Sequence, residues 1–342
     1  MKFTKRKDGR YVKNITDKNG KRIFIYGKTP KEVTRKILEY QEKKELGPFF
    51  TDIANEWWNI AEKDLSYQSK SSYEVAIKRL CEEFEKIRIK EIKPKDIQAF
   101  IYKLADKNFA KKTISNYKMV CNRIFEYAVL ENEIEYNPCS SVKLPKNLKT
   151  SKRSSATNEE ELKILKLDDV WLFPIIALLS GLRKGEILAL QWKDINFSKN
   201  IINVSKSIYY EGNVPKIKCT KTDAGTRTVP LLSLLKENLL KQKNINPKHF
   251  IICDEKGNPI TKKAFRYKYS KFQKQFDIKC TAHQLRHSFA TNAFEADVPA
   301  KSVQEILGHK QLSTTMDIYT DFREKSFESA AALLNKNFDV KK

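Results

Sequence analysis

Apolar positions recur along the chain with a period that changes from segment to segment, and those changes divide it. In the first 46 residues two short runs alternate, Tyr11 to Ile15 and Arg22 to Tyr26, with Ile23 and Ile25 set between other side chains at the two-residue period of a half-buried strand. The intervening Thr16-Asp17-Lys18-Asn19-Gly20 contains Asn-Gly, a pair that accepts the positive φ angles of a hairpin turn, so the two runs are expected to pair. Thr29-Pro30-Lys31-Glu32 then reads as a helix start, with a threonine to cap, a proline where no amide hydrogen is needed and an acid in the first turn. A small basic sheet-plus-helix module over residues 1–46 is predicted.

Leu46-Gly47-Pro48 stops that helix, and from 48 to 143 the spacing is helical. Ile53, Trp57 and Ile60 fit one helix; Ile114, Tyr117, Cys121, Ile124 and Ala128 fit another, which ends before Asn137-Pro138. Tyr67 to Leu80 and Pro94 to Leu104 lie between them, with Lys and Arg at several polar positions. Trp57 and Trp58 are read as core rather than as base-stacking groups, because aromatics at helical spacing face a core far more often than a ligand. Residues 144–156 are polar, basic and without period, which predicts a linker. Thr157-Asn158-Glu159-Glu160 is a capping box and opens a domain expected to run to 335, with residues 336–342 as a tail. In that domain helices alternate with β stretches at Ile201 to Val204, at Ser207 to Tyr210, and in a hairpin over Cys219 to Pro230 that turns near Asp223-Ala224-Gly225. No internal repeat or low-complexity tract appears.

Charge narrows the partners. A chain of 342 residues exceeds one ordinary core, and its formal charge is +24. The first 46 residues hold 15 Lys/Arg against 6 Asp/Glu and the remainder 51 against 36, so the excess is spread over the whole length. Such a surface favours a polyanion, since each neutralised phosphate releases condensed counterions; the plain alternative is solvated lysine on ordinary helices. A membrane is the other polyanion, but the longest apolar run, Trp171 to Leu182, contains Pro174 and falls short of the roughly 18 residues a span needs. Met1-Lys2-Phe3-Thr4-Lys5-Arg6-Lys7 has no apolar stretch behind it, so no secretory signal is read. With the richness in Lys and Asn, the expectation is a cytoplasmic, nucleoid-associated protein of a bacterial host. Six cysteines, at 81, 121, 139, 219, 253 and 280, form no CxxC pair and predict reduced structural thiols, with neither a zinc site nor a disulfide framework.

The candidate chemistry gathers near the C-terminus: Ala282-His283-Gln284-Leu285-Arg286-His287, then Leu307-Gly308-His309, then Ile318-Tyr319-Thr320, with Gly181-Leu182-Arg183 upstream. Paired guanidiniums fork onto the non-bridging oxygens of a phosphodiester, histidine donates to them or moves a proton, and a phenol can attack phosphorus. In order and kind these blocks resemble the tyrosine recombinase family, the phage and transposon integrases. Gly181-Leu182-Arg183-Lys184-Gly185-Glu186-Ile187 matches the first Arg motif, and Lys221-Thr222-Asp223-Ala224-Gly225-Thr226-Arg227-Thr228-Val229-Pro230-Leu231 matches the β-hairpin Lys motif. His283 to His287, Leu307-Gly308-His309 and Ser313-Thr314-Thr315 to Tyr319 match the rest. One departure is visible, since many members carry His two residues after the Tyr and here that position is Asp321.

The resemblance implies a multidomain fold: a small β-sheet-plus-helix N-terminal module that binds arm-type DNA sites (1–46), an all-α core-binding domain (48–143), the linker, and a mixed α/β, mainly α, catalytic domain of tyrosine recombinase type (157–335). It implies that Tyr319 attacks the scissile phosphorus and stores the bond as a 3′-phosphotyrosine, so that no cofactor is required. Arg183 and Arg286 are implied as the phosphate clamp, His283 as proton carrier from the tyrosine and His309 as donor to a non-bridging oxygen. Lys221 is implied as general acid for the leaving 5′ oxygen, with Lys216 and Lys218 as nearby alternatives. Glu186, one turn after Arg183, either orients it by an ion pair or has no such role; His287 reads as a packed or capping imidazole; Asp321 is expected to face away from the phosphate. No metal site is expected, since neither HExxH nor an acidic cluster accompanies the histidines. The implied partners are double-stranded DNA at core and arm sites, three further copies of the chain in a homotetramer on DNA, and an excisionase or DNA-bending accessory protein. The competing readings are a chromosomal resolvase or type IB topoisomerase-like enzyme, a non-catalytic DNA-binding accessory protein, and a metal-dependent nuclease.

Overall fold

A computed structural model describes residues 3–16, 22–150, 154–167, 171–219, 226–242, 249–309, 311–313 and 316, apart from the side chains of 42–46. It divides into two compact units, Met1–Ser151 and Lys152–Lys342, a division that falls within the 144–156 stretch. Among the described residues no helix is long and apolar enough to cross a membrane.

The first unit begins with an antiparallel sheet of β1 (Thr4–Lys5), β2 (Tyr11–Thr16) and β3 (Arg22–Gly27), in the order β1-β2-β3. β2 and β3 pair from Tyr11↔Gly27 to Thr16↔Arg22, while Asn19-Gly20 lies outside the described residues. α1 (Pro30–Leu46) packs against β3 and buries Val33 and Ile37. Its start has the expected chemistry: Thr29 Oγ1 accepts from Glu32 N at 3.2 Å, and the Glu32 carboxylate accepts from Lys28 N at 2.7 Å.

Four longer helices follow, α2 (Phe50–Ala61), α3 (Tyr67–Glu83), α4 (Pro94–Asp106) and α5 (Lys111–Leu130). They close over one core that includes Phe50, Leu80, Phe84, Phe100 and Phe125. Trp57 belongs to it, stacked on Tyr73, and Trp58 packs at its edge. Ile60 departs from expectation: α2 buries Phe50, Ile53, Ala54 and Trp57, and Ile60 in the last turn is 56% exposed. α5 ends at Leu130, where Asn132 takes a left-handed φ of 58°, several residues before Asn137-Pro138. The 144–156 stretch is held along much of its length. Leu144 and Leu148 pack on the first core, Lys149 O accepts from Lys111 N at 3.0 Å, and Ala156 is buried in the second core.

The second unit comprises α6 (Asn158–Leu165), α7 (Phe173–Ser180), α8 (Lys184–Ala189), β4 (Ile195–Asn196), β5 (Ile201–Val204), β6 (Lys206–Glu211), β7 (Val214–Cys219), β8 (Arg227–Pro230), α9 (Ser233–Lys241), α10 (Lys262–Phe276), α11 (Ala282–Glu295) and α12 (Ala300–Leu307). The Thr157 capping box forms, and Glu160 goes further, its Oε1 accepting from Lys279 N and Cys280 N at 2.7 and 2.9 Å. Of the hairpin expected over Cys219 to Pro230, the turn near Asp223-Ala224-Gly225 lies outside the described residues. β7 pairs back onto β6, from Glu211↔Val214 to Lys206↔Cys219, and β8 pairs with β5, from Val204↔Arg227 to Ile201↔Pro230. β6 and β7 are joined by a tight turn at Gly212, with φ of 58°, and Cys219 and Arg227 lie opposite residues two apart on the β5–β6 strand path. The core runs under α7, β5, β8 and α11 through Ile176, Leu182, Ile202, Val229 and Leu285.

Candidate active site

α7 is almost wholly apolar and buried, and Gly181 ends it in the left-handed region, φ 63°. A Cβ there would lie 2.5 Å from Phe289 Cδ1 and 2.9 Å from Leu307 Cδ2, so the residue has to be glycine for α11 and α12 to approach. The chain then turns through buried Leu182 to Arg183, which has extended backbone and caps α8. Glu186, 4% exposed, fixes it: the Arg183 amide donates to Oε2 at 2.8 Å and its Nη1 to Oε1 at 2.9 Å. Arg183 Nη2 donates to Gly308 O at 2.6 Å. The ion-pair role weighed for Glu186 is thus present in the structure.

Glu186 also holds a second guanidinium that the sequence reading passed over. Arg227, 8% exposed, donates from Nη1 and Nη2 to the two carboxylate oxygens at 3.0 and 2.8 Å, and from Nε to Ile306 O at 2.7 Å. Burial pushes the Glu186 carboxyl upward, but the hydrogen bonds and charge of Arg227, then the amide and charge of Arg183, outweigh it and bring the pKa down to about 2. Arg227 stands within the block that carries Lys221, so the block was legible even though its burial was not.

α11 brings the second clamp residue. Thr281 caps it with Gln284 in a capping box, and Leu285 and Phe289 anchor the buried face that carries Arg286 inward. Arg286, 4% exposed, donates from Nη1 to Gly181 O at 2.7 Å and from Nη2 to Leu307 O at 2.9 Å. Its Nη2 also lies 2.8 Å from His309 Nε2. A guanidinium can only donate, so His309 Nε2 accepts and Nδ1 carries the hydrogen. Burial, then the neighbouring Arg183, draws the Arg286 pKa down to about 9, which leaves it cationic at neutral pH. Burial, then Arg286 and Arg183, brings His309 down to about 4, so its ring is neutral there.

Arg183, Arg286 and His309, distant in sequence, are therefore gathered at two left-handed glycine turns, Gly181 and Gly308. Of the five N–H groups of each guanidinium, the partners named take two on Arg183 and three on Arg286; Arg183 remains 44% exposed. The arrangement can present N–H donors and positive charge to an anion while its own carboxylate is fully paired. His283 sits one turn before buried His287 on α11, with the two Nε2 atoms 3.2 Å apart. Lys216 and Lys218 are exposed on β7. Lys221 and Tyr319 lie outside the described residues, as do Thr314, Thr315 and Asp321. Lys184, beside Arg183, is a further site neighbour: its Nζ lies 3.7 Å from the Phe265 ring centroid, and burial, then Arg266 and Lys262, lowers its pKa to about 8.

Residues 156–326 match the phage integrase family, and residues 49–105 match its N-terminal SAM-like domain. A tyrosine recombinase XerC-like protein of Caldanaerobacter subterraneus subsp. tengcongensis is 30% identical over 369 residues, covering 94% of each chain. The ICEBs1 integrase of Bacillus subtilis is 30% identical over 308 residues, covering 84% of this chain and 83% of that one. Among solved structures, the Tn1549 transposon integrase in complex with circular intermediate DNA shares the fold at a TM-score of 0.68 and 22% identity, over 84% of this chain and 99% of that one. The chain belongs to the phage integrase family of tyrosine recombinases, enzymes that break and rejoin DNA strands at specific sites.

Proposed function

We propose that this recombinase integrates and excises a mobile DNA element, with Tyr319 as nucleophile and Arg183, Arg286 and His309 as the phosphate site. The observation that carries the reading is the convergence of those two guanidiniums and the neutral imidazole at the Gly181 and Gly308 turns. The phenolic oxygen of Tyr319 attacks phosphorus, the 5′ oxygen leaves, and a 3′-phosphotyrosine holds the bond until a second 5′ hydroxyl displaces the tyrosine. Negative charge grows on the non-bridging oxygens during each step, where Arg183 and Arg286 stabilise it. His283 carries the tyrosine's proton and Lys221 supplies one to the 5′ oxygen. Strand exchange between two duplexes requires four cuts, and with one nucleophile per chain four copies assemble on the DNA.

Mobile-element DNA is favoured over a chromosomal site by the nature of two of the matched proteins, an integrase and a transposon integrase with circular intermediate DNA. The basic module at 1–46 supports the same reading: it binds arm sites, residues 48–143 bind the core site, 144–156 link, and 157–335 catalyse. An excisionase or DNA-bending protein then sets direction. The test is Arg183→Ala and Arg286→Ala on a core duplex. Each should bind within a few-fold of wild type and cleave slower by about 10² or more, the usual cost of losing a transition-state donor. Cleavage at the wild-type rate by both variants would overturn the assignment.

A further inference from the structure

α11 holds a contact that this chemistry leaves unused. His283 and His287 lie one turn apart with Nε2 to Nε2 at 3.2 Å, ring centroids at 4.7 Å and ring planes at 86°, and His287 is 8% exposed. Two imidazole nitrogens at that distance need one hydrogen between them, because two lone pairs or two N–H groups would repel. The pair therefore has two arrangements. With the hydrogen on His283 Nε2, His287 accepts and His283 carries a lone pair on Nδ1, the form of a base. With it on His287 Nε2, His283 is the Nδ1–H tautomer, the form of a donor.

We propose that His287 is a positioning and relay residue that acts through His283: it sets the His283 tautomer and takes up the proton released by the nucleophile. As the Tyr319 hydroxyl gives its proton to His283 Nδ1, the hydrogen on His283 Nε2 passes to His287 Nε2. One N–H bond forms at His283 Nδ1, one breaks at His283 Nε2 and one forms at His287 Nε2, while the electron pair of the O–H bond stays on the phenolic oxygen as it closes on phosphorus. His283 is left as a neutral donor and the positive charge rests on His287. Religation runs the same path in reverse, returning the proton to the tyrosine.

The surroundings suit a proton that is held briefly. The turn that bears both imidazoles is fixed on either side: Gln284 Nε2 donates to Ser154 Oγ at 3.1 Å, buried Ser288 Oγ accepts from Ala156 N at 3.0 Å, and Asn292 Nδ2 donates to Glu161 Oε2 at 2.8 Å. His309, which accepts from Arg286, feels the charge of His287. A positive charge arriving on His287 stands next in sequence to the Arg286 guanidinium, which disfavours its staying there. A charge placed there during cleavage is poised to return.

The relay rests on the assignment of Tyr319 and His283 above; the imidazole contact does not, and the test separates the two. The chain has four histidines, so the full-length protein labelled with ¹⁵N-histidine gives few ring signals. A scalar coupling between the two Nε2 nitrogens, lost in His287→Phe, is expected. In single-turnover cleavage of a nicked duplex, His287→Phe should bind with the wild-type Kd, cleave at least about ten-fold slower and lose a limb of the pH–rate profile. His287→Gln keeps a hydrogen bond but carries no proton, and should likewise bind with the wild-type Kd and cleave as slowly as the Phe variant; it also serves if the Phe variant does not fold. No nitrogen coupling in the wild type, or wild-type rate and pH profile in His287→Gln, overturns the relay. A DNA adduct on a residue other than Tyr319 overturns the underlying reading and leaves the coupling in place.

Discussion

A carboxylate 4% exposed repays its desolvation only through full pairing, and Glu186 obtains it from the Arg183 amide and from two guanidiniums. Removing its charge would leave Arg227, itself buried, without a counter-ion. Glu186→Gln should therefore lower stability by about 3 kcal/mol, read from the shift in urea midpoint, and a loss below about 1 kcal/mol would mean the pairing is not what holds the turn. Two acid-side effects follow from the same site. Glu186 folds with its pKa down from 4.5 to about 2, so the stability it contributes is present above 4.5 and lost as pH falls towards 2. His309 folds with its pKa down from 6.5 to about 4, so the unfolded chain takes the proton first and stability falls between those values. Thermal midpoints should thus decline on acidification from about pH 6.5 onward, and His309→Gln should flatten the upper part of that decline. A wild-type midpoint constant from pH 6.5 to 4 would contradict the half-buried, neutral His309.

The glycine turn between α7 and α8 is the element on which the site depends. Gly181→Ala would combine a left-handed φ of 63° with a Cβ 2.5 Å from Phe289, and would displace the carbonyl that accepts from Arg286. A cost of about 1 to 3 kcal/mol is expected in thermal or urea unfolding, with cleavage falling more than duplex binding, because the displaced group orients a clamp residue. Equal losses in binding and cleavage would point to general unfolding instead. Much of this element was legible in the sequence. Gly-Leu-Arg at the close of an apolar run stood out as a motif rather than as a turn, while Thr29 and Thr157 marked helix starts whose caps form. Strand pairing was not legible, since β5 meets β8 and β6 meets β7 through register between separate segments. Arg227 was likewise invisible in its role, because its carboxylate partner lies 41 residues away and nothing in a strand's alternation distinguishes a buried Arg from a solvated one. Ile60 misled for a simpler reason: helical spacing continues to the last turn of α2, but the neighbouring helices do not cover it.

At the scale of the whole molecule the excess of 24 positive charges bears on how the recombinase holds DNA. Duplex binding should weaken steeply with salt, and a log–log slope shallower than about −3 would leave too few phosphate contacts for two DNA-binding units. Deleting residues 1–46 should spare cleavage of a core site and abolish integrative recombination on a full site; normal recombination by the truncated chain would remove the arm-binding role. The central claim, however, comes down to one phenol among fourteen tyrosines. Wild-type protein incubated in EDTA with a nicked suicide duplex should form a covalent complex without metal or nucleotide, peptide mapping should place the DNA on Tyr319, and Tyr319→Phe should bind the duplex yet form no complex. A complex that persists in Tyr319→Phe, or cleavage that stops with EDTA, would contradict the account.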